Sequence, residues 1–223
     1  MEQITLIPQT QIFTVIPQRN PLHELAKKYP LNMCWLTALF YALQYLGFKN
    51  SRSLHYKLSN LLGSSFGLLF VSKDNGALYF PKKYELSDAY IRSSLNEIFR
   101  KSSLKIRVIE VLSDIKFAEI EKIETALALR KELLCIVRNN NLAVHGENII
   151  GEVVNHSVLL KQCKNLQNGR VQVTFLDPAD ARLHVMEIGV NVFMQWIQYV
   201  WVLERRITVF ERIISIMFRR NKR

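Results

Sequence analysis

The pattern of apolar and polar positions divides the chain into a helix-rich first half and a strand-rich second half. Residues 1–20 hold two short β-like runs, at 4–7 and 12–16, separated by Pro8 and Pro17, which predicts an extended arm over residues 1–30. From Cys34 the run CWLTALFYALQYLG consists largely of helix formers, is apolar nearly all round and ends on Gly47. That pattern predicts a helix buried in the middle of a domain, with glycine closing its last turn. A second helix is expected over 51–62, followed by a break at 63–67, an apolar run at 68–72 and a turn at Asp74-Asn75-Gly76. Residues 87–101 read as a helix and 104–112 as a strand, and 113–131 carries Ile120, Ile123 and Leu127 at helical spacing.

Past this point the period changes. Residues 133–137 and 153–163 read as buried strands, and 170–176 alternates Val171, Val173 and Phe175 as a third. Helices followed by antiparallel strands are an α+β arrangement, with a buried Cys-bearing helix in the N-terminal half and the sheet in the C-terminal half. At 223 residues one domain suffices, drawn here as 1–203 with a basic amphipathic tail at 204–223.

Composition adds little to the fold but narrows the setting. The charge of +11 is concentrated, with seven Lys/Arg against two Glu in the tail. A basic amphipathic tail suits an anionic surface, nucleic acid or lipid, and is silent on catalysis. Three cysteines, Cys34, Cys135 and Cys163, cannot pair completely, so a disulfide scaffold is not expected. The first residues lack a basic start followed by a long apolar run. The apolar stretch at 190–203 is broken by Asn191, Gln195 and Gln198 and is too short to cross a bilayer. The expectation is a soluble protein, intracellular or delivered without a cleaved signal peptide.

The candidate chemistry centres on Cys34. A cysteine acts as a nucleophile as its thiolate, and a helix N-terminus lowers its pKa. Pro30 argues against a helix entering from upstream, which leaves the thiol in the first turn. A thiol hydrolase also needs an imidazole beside the sulfur and a third group to orient it. His156 opens the strand VNHSVLLKQC, and Asp177 ends RVQVTFLDP. If 164–169 is the connecting loop, Cys163 pairs with Arg170 and His156 falls opposite Asp177, with Cβ atoms about 4.5–5.5 Å apart. A two-residue turn at Asn168-Gly169 would instead set His156 opposite Ala181.

The segment NMCWLTALFYALQ resembles the cysteine box of papain-like peptidases. HSVLLK followed by VTFLDP resembles the His strand and the Asp-Pro strand end of double-glycine leader peptidases. Asn32 before the cysteine and the later Ala-Leu-Gln are similar to ubiquitin-specific and viral papain-like proteases. The resemblance implies a papain-like fold and a cysteine peptidase with Cys34 as nucleophile, His156 as base and Asp177 as orienting group. A protein or peptide substrate follows from it, and acyl transfer uses the same parts. Members of that clan carry a glutamine oxyanion donor about six residues before the cysteine. Here Lys28 stands there, so Asn32 is the expected donor, with Gln18 the alternative.

The remaining signals are weaker. Cys135 and Cys163 lie in apolar strands and read as inert, and His23, His55, His145 and His184 as ordinary surface or core residues. A zinc site from Cys135, Cys163, His145 and His184 lacks short ligand spacing, so no metal or cofactor is expected. Gly63-Ser64-Ser65-Phe66-Gly67 matches G-x-S-x-G in the wrong strand–helix order. Residues 139–152 are a candidate lid. A non-catalytic domain that binds protein, nucleic acid or anionic membrane through its tail is the rival reading.

Overall fold

A computed structural model describes residues 4–63, 87–138, 155–166 and 168–206. The glycine-rich break from 64 to 67, the apolar run at 68–72, the turn at 74–76, His145, the candidate lid and the tail from 207 onward lie outside those described residues.

The arm is not extended along its length. Gln9–Val15 forms a 3-10 helix whose buried residues Gln9, Ile12 and Val15 recur every third position, the period at which a 3-10 turn eclipses its side chains. The β-branched residues therefore face the core from a tight helix and not from a strand. Pro21–Lys28 follows as α1. Proline suits a first helical position, and Glu24 in the first turn with Lys27 and Lys28 in the last complement the helix dipole. A second 3-10 turn, Pro30–Met33, leads directly into α2 (Cys34–Tyr45). Pro30 thus stops an α-helix but not a 3-10 turn, in which its missing N–H would be unpaired anyway.

α2 is the centre of the domain. Trp35, Leu36, Leu39, Phe40, Tyr41 and Leu43 are essentially inaccessible to water. Fully burying side chains of this size stabilises by about 1.5–3 kcal/mol each. Its two buried polar residues are satisfied: Thr37 donates to Met33 O, while Gln44 exchanges two hydrogen bonds with the main chain of Thr5 in the arm. Gly47, at φ +84°, ends the helix. Gly47 N–H donates to Gln44 O and Phe48 N–H to Leu43 O, the paired closure that a left-handed residue permits.

The other expected helices form as α3 (Arg52–Gly63), α4 (Asp88–Lys101) and α5 (Phe117–Ala128), and Ser87 caps α4 by accepting from Tyr90 N–H. The strands are β1 (Ile106–Ser113), β2 (Glu132–Arg138), β3 (Asn155–Leu166), β4 (Arg170–Asp177), β5 (Arg182–Gly189) and β6 (Ile197–Arg205), with α6 (Val190–Trp196) between the last two. They make one antiparallel six-stranded sheet in the order β1-β6-β2-β3-β4-β5. The chain is α+β, as expected.

Strand alternation splits the core in two. Leu134, Ile136, Leu159, Leu176 and Trp201 face the layer that holds α2 and α4, whereas Leu133, Cys135, Leu160, Val173 and Val200 face α5 and α6. The apolar stretch at 190–203 is α6 followed by the central strand β6, which the sequence pattern did not divide. Among the described residues no helix is long and apolar enough to cross a membrane.

Candidate active site

Cys34 begins α2, where the helix dipole and first-turn N–H groups favour an anion. α2 packs across β2 and β3, which brings its N-terminal end to the start of β3, where His156 stands. Asp177 is the last residue of β4, the neighbouring strand.

His156 Nε2 and Asp177 Oδ1 are 2.7 Å apart. The other side of the imidazole is hydrogen-bonded to the Cys34 thiol, and with Nε2 engaged, Nδ1 is the ring nitrogen left for the sulfur. The three residues expected from sequence therefore form one continuous row: sulfur, imidazole, carboxylate. The ring and carboxylate are largely shielded, with side chains 17% and 12% exposed.

The register that achieves this differs from the one expected. The β3–β4 connection is three residues, 167–169, with Gly169 at φ +75°, so Leu166 pairs with Arg170. That register alone would set Asp177 against Leu159, which faces the opposite side of the strand from His156. A one-residue β-bulge between Leu160 and Gln162 corrects it, and Leu159 then pairs with Leu176. Continued one step, Asp177 stands opposite Val158. His156, two residues along on the same side, is its diagonal neighbour, within reach of a long side chain.

The bulged residue, Lys161, is held at both ends of its reach. Its Nζ is 2.7 Å from the buried Glu132 Oε2 on β2 and 3.5 Å from the centroid of the Tyr45 ring at the end of α2. One side chain thus ties the bulge to β2 and α2.

The turn after Asp177 is equally built. Asp177 Oδ1 also accepts from Ala179 N–H at 2.8 Å, and Gln9 N–H of the arm donates to Pro178 O at 2.7 Å. Tyr41 of α2 donates its hydroxyl to Ile7 O. Arm, helix and turn are laced together behind the carboxylate. Asp180 in the same turn accepts from His184 Nε2, and the His184 ring stacks on Phe175 at 5.5 Å.

Electrostatics separate Cys34 from the other two thiols. All three are buried, at 5%, 0% and 7% exposure for Cys34, Cys135 and Cys163, so access does not distinguish them. Burial alone raises each thiol. At Cys34 that penalty is outweighed by the hydrogen bond and positive charge of His156 and by bonds from Ser157, leaving the thiol below its ordinary value. Among the described residues neither of the others has a cation beside it: burial pushes Cys135 well up despite a backbone bond from Leu160, and burial with the nearby Glu124 pushes Cys163 to about 12. Burial lowers His156, but Asp177 and Cys34 more than compensate and hold the ring protonated up to about 10. For Asp177, burial is overridden by His156 and by Ala179 N–H, which keep the carboxyl below its usual range. At neutral pH the imidazole is therefore held protonated, and it draws the Cys34 sulfur toward the thiolate.

Asn32 lies in the 3-10 turn two residues before Cys34, half-buried, while Gln18 is exposed in the arm and Lys28 is exposed at the end of α1. One residue at the sulfur was not singled out from sequence. Ser157, 1% exposed, donates to Cys34 through both its N–H and its hydroxyl. A serine at an inward position of a buried strand needs a partner, and that is the signal by which it is recognisable. Among the described residues no group of three His, Cys, Asp or Glu is placed to hold a metal ion.

No protein-family model, curated protein or solved structure matches the chain.

Proposed function

We propose that this chain is a papain-like cysteine peptidase that hydrolyses a peptide or isopeptide bond in a protein substrate. The observation that carries the reading is the hydrogen-bonded row of Cys34, His156 and Asp177, drawn from α2 and from the β3–β4 pair that lies far from it in sequence. The charge state follows from the same contacts. Of three buried thiols, the one in this row is the one held toward thiolate.

Each residue then has a task. The Cys34 thiolate adds to the scissile carbonyl, and the negative charge passes to the carbonyl oxygen. The main-chain N–H of Cys34 and the Asn32 carboxamide are assigned to stabilise that oxyanion. His156 gives its proton to the leaving amine as the C–N bond breaks, which leaves an acyl-thioester. The neutral imidazole then takes a proton from water as it attacks the thioester, and collapse of the intermediate expels the Cys34 thiolate, releasing the acid and restoring the thiolate–imidazolium pair. Asp177 keeps Nε2 engaged, so that Nδ1 faces the sulfur throughout. An amine acceptor in place of water turns the same steps into acyl transfer.

A panel of peptidyl acyloxymethyl ketones tests this reading, because these electrophiles alkylate an activated active-site thiol with loss of their carboxylate and leave ordinary thiols unmodified. Peptide mapping is expected to find adduct at Cys34 alone, lost in His156→Ala. Adduct at no site, or spread over all three cysteines irrespective of His156, contradicts it.

A further inference from the structure

We propose that Ser157 is a fourth group of the site, holding the Cys34 sulfur from the sheet side with its N–H and hydroxyl. The inference rests on the reading of Cys34 as nucleophile and adds a residue that neither the triad nor the resemblance requires.

Three features of the placement carry it. Ser157 pairs directly with Ile136, whose side chain lies in the core layer of α2, so the hydroxyl points toward α2 and not toward α5. The position is 1% exposed, and the neighbouring inward residues of β3 and β2, Leu159, Leu134 and Ile136, are all apolar. A hydroxyl buried among such neighbours is stabilising only when its bond is made, and its bond is to Cys34. Finally, Ser157 follows His156 without a break, so the strand that presents the imidazole also presents two donors to the same sulfur.

The chemical consequence is a thiolate held in a defined resting position. The α2 N-terminus, His156 and the two Ser157 donors surround the sulfur with positive charge and N–H or O–H groups, and these bonds orient it as well as stabilising its charge. Attack on a carbonyl requires the sulfur to leave the Ser157 bonds at least in part. Ser157 therefore favours the charged nucleophile at low pH and restrains it at high pH. Among the described residues the titratable groups around the sulfur are His156 and, beyond it, Asp177. His184 of β5 acts on Asp177 from further out, and Asp177 and Asp180 of the turn both act on Tyr41 of α2.

The test is the pH dependence of Cys34 alkylation by iodoacetamide in the full chain, read by peptide mass. In Ser157→Ala, which removes the hydroxyl and keeps the N–H, the acid limb is expected to move up by about one pH unit. Labelling at pH 6 then falls several-fold, while the rate at the alkaline plateau is equal or higher. Ser157→Thr is expected to restore the wild-type limb, and Ser157→Val, the same shape without the hydroxyl, to behave as alanine. The Thr/Val comparison decides the matter even if the alanine variant folds poorly. Superimposed profiles for Thr and Val, with Cys34 still the selectively labelled thiol, overturn the role of Ser157 and leave the triad standing. A wild-type limb like that of a free thiol removes both.

Discussion

His156 and Asp177 meet as diagonal neighbours across a β-bulge, with Nε2 and Oδ1 at 2.7 Å, and the bulge is what sets them on the same side of the sheet. A strand register shifted by one residue reverses every side chain, so without the extra residue at Lys161 the carboxylate would face away from the imidazole.

Lys161 is therefore expected to matter to both stability and catalysis from a distance. Replacing it with alanine leaves Glu132 buried beside nothing that offsets its charge, at an expected cost of about 3 kcal/mol near neutral pH. Burial already raises the Glu132 pKa, with Lys161 opposing that rise. Losing Lys161 raises it further, so the deficit grows as pH rises from the unfolded carboxyl value through the folded one. Urea titrations at pH 5 and pH 8 check this: Lys161→Ala should lose more stability at pH 8, and an equal loss at both contradicts it.

Asp177→Asn keeps the shape of the side chain but removes the charge that favours the imidazolium. Peptide hydrolysis is expected to fall on the order of 100-fold or more, chiefly in kcat. The Cys34 thiol should titrate higher as well, because its partner ring is less readily protonated. Steady-state kinetics beside an alkylation profile separate this from simple misfolding, which would not shift a thiol titration upward with Cys34 still selectively labelled.

The pH behaviour follows from two opposite shifts. Cys34 lies below its ordinary value, so the thiolate is lost only as pH falls through that lowered value. His156 is held protonated up to about 10, so the proton needed by the leaving amine is lost as pH rises through that region. Alkylation needs only the thiolate and should persist above pH 10, whereas hydrolysis should decline there. Parallel decline of both above pH 10 would contradict the assignment of His156 as proton donor.

Much of this site was legible before any coordinates. A cysteine opening an apolar helix, a histidine opening a buried strand and an aspartate before proline were visible as residue types in the right kinds of element. What pattern reading missed was set by distant partners. The 3-10 geometry of residues 9–15 follows from packing on the core, since β-branched residues alone suggest a strand. The three-residue loop at 167–169 and the bulge at Lys161 compensate each other. The expected six-residue loop therefore led to the right side-chain contact, His156 with Asp177, through a direct pairing that the strands do not have. β6 escaped notice because its apolar run merges with that of α6, and only pairing with β1 and β2 separates them.

That His156 holds the Cys34 sulfur toward the thiolate is tested most directly by the reaction of Cys34 with iodoacetamide at pH 6. A free thiol, with a pKa near 8.5, is less than about 1% ionised at that pH. Cys34 is expected to react about tenfold faster than glutathione under the same conditions and to lose that advantage in His156→Ala, with Cys135 and Cys163 unmodified. A Cys34 rate no greater than that of glutathione, unchanged by removal of His156, would contradict the account.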